Sequence, residues 1–237
     1  MDPLDLLPLG LKKKIMEPNH YVIIVAGGVG KRMNSPLPKQ FIKINEKPII
    51  FHTIERFLEA DSSIEFIISL HPDYIEYWEE LIQLHNFKFN HKTVKGGNER
   101  FYSVKNALEL VPRNAIVGIH DSVRPLVSLG TITRCFKEAQ THFSAIPVED
   151  SVNSLRYITE HRNEILDRSL VKQVQTPQYF NSKLIKESYN KDFSRKCTDD
   201  ASVFEASGHD IHPVKGNPEN IKITSPIDLI VAKELLR

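Results

Sequence analysis

Apolar segments of this chain alternate between two periods, and that alternation restricts the folds open to it more than any other feature. Tyr21 to Val25, Ile64 to Leu70, Ala115 to Ile119 and Ser144 to Val148 are short runs of the kind that buried strands make. Between them, Pro48 to Ala60, Tyr74 to His85, Asn98 to Val111 and Ser128 to His142 carry helical spacing, and in the last of these Leu129, Ile132, Phe136 and Ala139 form one apolar stripe. A final helix is signalled by Ser225 as N-cap, Pro226 at the first helical position and Asp228 three residues after the cap. Strands alternating with helices predict a wound α/β fold with a mostly parallel sheet and flanking helices. The 237 residues, 41% of them hydrophobic, suffice for a sizeable core, so residues 21 to 237 are expected to form one large domain with an excursion. Ligands of such sheets sit beyond the carboxyl ends of the strands, so the loops at 26 to 40, 95 to 103 and 120 to 125 should converge.

The first of these loops reads V-A-G-G-V-G-K-R-M-N-S-P-L-P-K-Q from Val25 to Gln40 and packs Gly27, Gly28 and Gly30 together with Lys31, Arg32 and Lys39. Glycine permits positive φ and a close approach of backbone N–H groups to an anion, and the three cations supply the charge that a polyphosphate needs. A Walker A loop is excluded, because Gly30-Lys31 is followed by Arg32 with no magnesium-binding hydroxyl there. A dinucleotide fingerprint starting at Gly28 is excluded as well, since it needs glycine where Met33 stands. An ordinary strand-to-loop turn uses a glycine pair equally well, but has no use for the added K-R and P-K-Q.

Two further loops carry suitable groups. Lys95-Gly96-Gly97-Asn98-Glu99-Arg100 precedes a helix that holds Ser103 in its first turns, which suits either hydrogen bonds to a base and ribose or a plain capped helix start. His120-Asp121-Ser122-Val123-Arg124-Pro125 sets an acid and a base three residues apart. Asp121 suits a magnesium ion or a sugar hydroxyl, and equally a local ion pair with Arg124 that steadies the turn.

Any anion site must be local, because a formal net charge of +1 gives no case for nucleic-acid or membrane binding through bulk electrostatics. Cys135 and Cys197 form no C-x-x-C pair, so the cysteines indicate neither a zinc site nor a disulfide framework, and a reducing cytoplasm is the expected location. Residues 1 to 20 place Lys12, Lys13 and Lys14 after an apolar run that Pro8 and Gly10 break, the reverse of a signal peptide. They read as a peripheral arm, with Met16 as an alternative start. No stretch approaches the ~20 apolar residues of a membrane span.

Together, G-G-V-G-K-R-M with P-K-Q, G-G-N-E-R-F-Y-S-V, H-D-S-V-R-P, P-V-E-D-S, Q-T-P-Q-Y-F, T-D-D-A and N-I-K-I-T resemble, in order, the 2-C-methyl-D-erythritol 4-phosphate cytidylyltransferases of isoprenoid biosynthesis over residues 21 to 236. The pattern is also similar to that of ribitol 5-phosphate cytidylyltransferases. The resemblance implies a Rossmann-like sheet of the nucleotidyltransferase type, magnesium as cofactor, and CTP and a polyol phosphate as substrates. It implies that Arg32, Lys39 and Lys222 neutralise the triphosphate, that Ala26, Gly27, Gly28 and Gly30 contact phosphate and cytosine through the backbone, and that Gly96, Gly97, Asn98 and Ser103 hold base and ribose. Asp121, Ser122 and Arg124 would meet the phosphosugar. The segment from about Glu149 to Gln175 looks like the family's β-arm, which makes a homodimer and carries Ser151, Arg168 and Thr176 into the neighbour's site; the run from Thr159 to Glu164 is its exposed turn. The loop opens A-G-G where A-A-G is usual, Ser122 stands where alanine is common, Ser151 replaces a usual threonine, and Asn98 occupies a position that is often aspartate. A nucleotide-binding module without turnover is the alternative from another class, and the presence of Arg32, Lys39, Asp121, Arg168 and Lys222 speaks against it.

Overall fold

β1 (Asn19–Ala26) lies at the centre of the sheet because it is apolar on both faces, with Val22, Ile23 and Ile24 wholly buried. The structure is a computed structural model that describes residues 19–28, 37–192, 194 and 197–237. On one side β1 is parallel to β4 (Glu65–Leu70), which is parallel to β5 (His91–Lys95); on the other it is parallel to β6 (Ala115–Asp121). Next comes β11 (Gln178–Asn181), antiparallel both to β6 and to β7 (Ser144–Asp150). β7 also pairs with β10 (Lys172–Val174), antiparallel, and with β12 (Pro213–Lys215), parallel. A small hairpin of β2 (Lys43–Ile44) and β3 (Lys47–Pro48) stands apart from this sheet.

The pleat divides the core into two layers. Val22, Ile24 and Ala26 of β1 pack with α1 (Ile49–Ala60), α2 (Ile75–Leu84) and α4 (Leu129–His142). Ile23 faces the other way, toward α3 (Arg100–Leu108), α5 (Ser182–Tyr189) and α6 (Asp200–Glu205). The last helix, α7 (Pro226–Leu235), starts as its sequence signal predicts, with Pro226 in its first turn and the Asp228 carboxylate accepting the Ser225 N–H at 2.8 Å.

Several boundaries differ from expectation for definite reasons. β6 and β7 run two residues beyond the apolar runs, because β1 pairs with Asp121 and β10 pairs with Asp150. α3 begins at Arg100 instead of Asn98, because the close approach of Gly96 and Gly97 to Ser103 holds the preceding residues in a loop. In α4 the stripe is Ile132, Cys135, Phe136 and Ala139; Leu129, at 36% exposure, lies at the rim of the first turn. β5, β10, β11, β12, α5 and α6 are not announced by apolar periodicity, being short and supported by their neighbours.

Between β7 and β10 the chain leaves the sheet as a hairpin, β8 (Leu155–Ile158) and β9 (Asn163–Leu166), which pair only with each other. The turn is narrower than expected: Thr159 donates to the carbonyl of Arg162 at 2.7 Å, and Asn163 and Glu164 already belong to β9.

Candidate active site

Strand register brings three loops to one level. Val25 is opposite both Ser69 and Asp121, and Leu70 is opposite Lys95, so the segments that begin at Gly27, Gly96 and Ser122 leave the same end of the sheet side by side. A cavity of about 260 Å³ opens there, lined by Gly27, Gly28, Lys39, Arg100, Asp121 and Lys222 among others. A larger hollow of about 480 Å³ around His20, Asp61 and Phe136 lies at the opposite end, by the start of β1, and offers Lys137 as its only cation among the described residues. The smaller cavity is the one with the chemistry. Gly30 and Arg32 lie outside the described residues.

Gly27, Gly96 and Gly97 act by closeness and not by the positive φ that glycine permits, whereas Gly28 has open space where a Cβ would stand. Among the described residues only Gly208 has positive φ of all the glycines. A Cβ on Gly27 would stand 2.9 Å from the Ser103 Oγ, and one on Gly97 would stand 2.3 Å from the Tyr102 Cβ. Ser103 is buried at the cavity wall, where its hydroxyl accepts the Gly97 N–H at 3.1 Å and packs against Gly27, so it holds the two glycine loops together. Gln40 performs the matching task for the first loop: its amide donates to the carbonyls of Ala26 at 2.7 Å and Gly28 at 3.1 Å. The P-K-Q motif thus contributes its glutamine to the architecture and its lysine to the cavity. Asn98 is exposed at the cavity edge.

Asp121 is the anchor of a cluster of cations. Its Oδ2 lies 3.0 Å from the Lys222 ammonium and 3.2 Å from the Arg124 guanidinium, and its Oδ1 lies 3.8 Å from Arg100. Burial alone would raise the Asp121 carboxyl, but Arg100, Lys222 and Arg124 outweigh it and hold the group well below the usual carboxylate range. The Asp121–Arg124 ion pair is therefore present, as the local reading of this hexapeptide has it. The same geometry bears on magnesium. A carboxylate whose oxygens are already engaged by three cations is a poor ligand for a dication, and Asp121 belongs to no group of three or more His, Cys, Asp or Glu ligands among the described residues. The donor set does not fit a magnesium ion held by Asp121.

Arg100, which sequence reasoning left without a role, is fixed from behind. It makes a two-pronged ion pair with Asp200 of the T-D-D-A motif, at 2.8 and 2.6 Å, and the Tyr189 hydroxyl donates to the same carboxylate at 2.6 Å. Gln178 of Q-T-P-Q accepts the Ala201 N–H at 2.8 Å and donates to Asp199 at 2.8 Å, which seats the start of α6 against the sheet. Asn220 of N-I-K-I-T donates to the Thr176 carbonyl at 2.8 Å, and Arg124 donates to the Asn220 carbonyl at 2.7 Å. The seven motifs are largely one hydrogen-bonded assembly.

Thr176 belongs to that assembly, which corrects its reading as a contact for a neighbouring subunit. It is 5% exposed, and its Oγ1 accepts the Asp121 N–H of its own chain at 3.2 Å. Its hydroxyl proton is thereby directed to Nδ1 of His120 at 2.9 Å, which leaves Nε2–H to donate to the Arg124 carbonyl at 3.2 Å. Burial, helped by Arg124 and Lys222, pushes this imidazole down to about 3. The folded protein therefore refuses a proton that the unfolded chain accepts below pH 6.5, so the stability that neutral His120 contributes is complete above pH 6.5 and is lost as pH falls toward 3. The expected slope from this residue is about 1.4 kcal/mol per pH unit inside that window. Urea midpoints measured from pH 7.5 to 4 should show it, and His120→Asn should flatten it; an unchanged slope in the variant would assign the pH dependence elsewhere.

Ser122 is buried beside Asp121, its N–H on the Val25 carbonyl at 3.2 Å. Ser151 and Arg168 are not brought to this cavity within one chain. They line a separate hollow with Lys172; Ser151 donates to the Asn153 carbonyl at 3.2 Å and Arg168 to the Val152 carbonyl at 2.8 Å.

Comparison with known proteins agrees with this geometry. Residues 20–237 match the family model described as IspD: 2-C-methyl-D-erythritol 4-phosphate cytidylyltransferase. A protein of that name from Bacteroides fragilis is 48% identical over 214 residues, covering 90% of this chain and 98% of its own length. Its namesake from Bacteroides thetaiotaomicron is 46% identical over 215 residues, covering 91% and 98%. The crystal structure of 4-diphosphocytidyl-2C-methyl-D-erythritol synthase from Anaerococcus prevotii superposes with a TM-score of 0.79 at 24% identity, covering 92% of this chain and 98% of that one, and so shares the fold.

Proposed function

Since the chain belongs to the 2-C-methyl-D-erythritol 4-phosphate cytidylyltransferase family, we propose that it transfers CMP from CTP to 2-C-methyl-D-erythritol 4-phosphate. A phosphate oxygen of the alcohol attacks the α-phosphorus of CTP, the bond from that phosphorus to the β-phosphate oxygen breaks, and pyrophosphate leaves with the electron pair. The product is 4-diphosphocytidyl-2-C-methyl-D-erythritol. The observation that carries this reading is the shared cavity of Lys39, Lys222 and Gly27–Gly28 at the carboxyl ends of β1 and β6. Two anions must meet before they can react, so positioning and charge neutralisation make up most of the catalysis and little covalent chemistry is asked of the protein.

In this reading Lys39, Lys222 and Arg32 neutralise the triphosphate. The backbone at Ala26, Gly27, Gly28 and Gly30 lies along phosphate and cytosine, Gly96, Gly97 and Asn98 bound the base and ribose, and Ser103 keeps those loops together. Asp121, through its ion pairs, orients Arg124 toward the phosphosugar and Lys222 toward the triphosphate. A magnesium ion that arrived with the triphosphate would supply further charge neutralisation without a protein carboxylate to hold it.

A homodimer is part of the proposal. Val152 at 83% and Leu170 at 82% exposure, with Ile158 and Ile165 of the hairpin also bare, give the arm an apolar surface that a second copy would cover. Ser151 and Arg168 would then reach the partner's cavity. The reaction is tested by coupled pyrophosphate release with CTP, magnesium and either alcohol. Release dependent on 2-C-methyl-D-erythritol 4-phosphate is expected; a faster rate with ribitol 5-phosphate would reassign the substrate, and CTP binding without turnover on either would leave a nucleotide-binding module.

A further inference from the structure

Glu138 and His142 lie one turn apart on the exposed side of α4, and His212 faces them from the residue before β12. The two imidazoles stack at 3.8 Å with planes 7° apart. Both point at one carboxylate oxygen: Nε2 of His142 is 3.4 Å from Oε2 of Glu138, and Nε2 of His212 is 3.5 Å from the same atom. These distances exceed the roughly 2.7–3.2 Å of an ordinary N–H···O hydrogen bond. They match a different geometry, since ligand atoms about 2.1 Å from a tetrahedral ion stand about 3.4 Å from one another. All three donor atoms lie within 4.8 Å of each other; because an ion sits in the plane of each imidazole that binds it, the exposed His142 ring must swing out of its stack on His212 for both Nε2 atoms to reach one ion.

We infer that Glu138, His142 and His212 form a binding site for a zinc-like transition-metal dication, with the fourth coordination position open to solvent. Two imidazoles and one carboxylate favour such an ion over magnesium or calcium, which take oxygen ligands. The scaffold is already rigid where it needs to be. His212 is held on both sides of its backbone, its N–H on the Ser144 hydroxyl at 3.1 Å and its carbonyl on the Ile146 N–H at 3.0 Å. The open position faces a hollow of about 300 Å³ beside Phe143 and Asp210.

The place of the site in the fold tells what it does not do. It sits at the amino end of β7, and β6 runs parallel to β7 because both are antiparallel to β11; Asp121 closes the carboxyl end of β6. The ion therefore lies at the end of the sheet away from the reaction cavity, where it ties α4 to the segment that leads into β12 and is out of reach of a substrate in that cavity. Its binding should raise thermal stability and leave turnover unchanged.

The test uses the full chain without a histidine tag, stripped with chelator and titrated with Zn²⁺ by calorimetry. One site is expected in the parent, weakened at least about tenfold in His142→Ala and in His212→Ala, and weakened less in Glu138→Gln. Co²⁺ as a spectroscopic substitute should give the visible bands of a four-coordinate ion in the parent and not in His212→Ala. Zn²⁺ binding of equal strength in the parent and both histidine variants, or no binding by the parent, would overturn the assignment.

Discussion

Asp200→Ala should cost the fold about 2–3 kcal/mol, less than for a fully buried pair because the Arg100 side chain is 28% exposed, and remove nearly all turnover, although Asp200 does not line the cavity. The carboxylate is 0% exposed, and it takes both prongs of Arg100 and the Tyr189 hydroxyl. Deleting it strands a partly buried guanidinium and a buried phenol in a site built to pair them, and the loss of their shared partner is what makes the deletion expensive. Arg100 then has Asp121, 3.8 Å away, as its remaining counter-charge, and a shift toward it would disturb the carboxylate that positions Lys222 and Arg124. Urea unfolding and kcat/KM measured together test this. The two effects separate in the double variant Arg100→Met, Asp200→Leu: replacing a buried pair by apolar side chains of similar size is often neutral for stability. Recovery of the fold without recovery of turnover is expected. If both return, Arg100 has no part in the reaction.

That prediction rests on a contact that sequence reading did not find, for a physical reason. Arg100 and Asp200 are a hundred positions apart, and nothing local in G-G-N-E-R or T-D-D-A says that one charge will neutralise the other inside the protein. The same applies to Gln40 and Thr176. Gln40 reads as part of the P-K-Q motif and Thr176 as a contact for the phosphosugar, yet their side chains are spent on backbone groups of β1 and β6, whose positions are known only once the sheet is formed. Periodicity was legible where an element buries a whole face, as in β1, β4 and α1. It failed for β11, whose four residues Gln178 to Asn181 are too few to show a period and hold an antiparallel place only because β6 and β7 flank them. Tyr179 of that strand needs Gly118, since a Cβ there would lie 2.6 Å from its ring. The cavity itself was legible through its motifs, while the reason for Gly27, Gly96 and Gly97 was not: they yield space to Ser103 and Tyr102, a property of packing and not of backbone angles.

The largest effect on chemistry alone should come from Lys39→Ala. The Lys39 ammonium donates to the Ile223 carbonyl at 3.0 Å and borders the cavity with Lys222, so its position is set before any triphosphate arrives. Removing one preorganised charge of this kind commonly lowers kcat by about 10²–10³, or roughly 2.7–4 kcal/mol of transition-state stabilisation. The fold loses the partly buried hydrogen bond to the Ile223 carbonyl, worth about 1 kcal/mol. A variant with parental turnover would take Lys39 out of the reaction. The same variant tests the arm. Arg168→Ala should also be inactive, but an equal mixture of the two, after subunit exchange, makes half of the dimers mixed, and each mixed dimer holds one site with both residues intact if the arm works across the interface. About a quarter of parental activity should return. Within a single chain Ser151 and Arg168 line a hollow separate from that of Lys39, so a failure of the mixture to recover would mean that the arm folds back on its own cavity in solution.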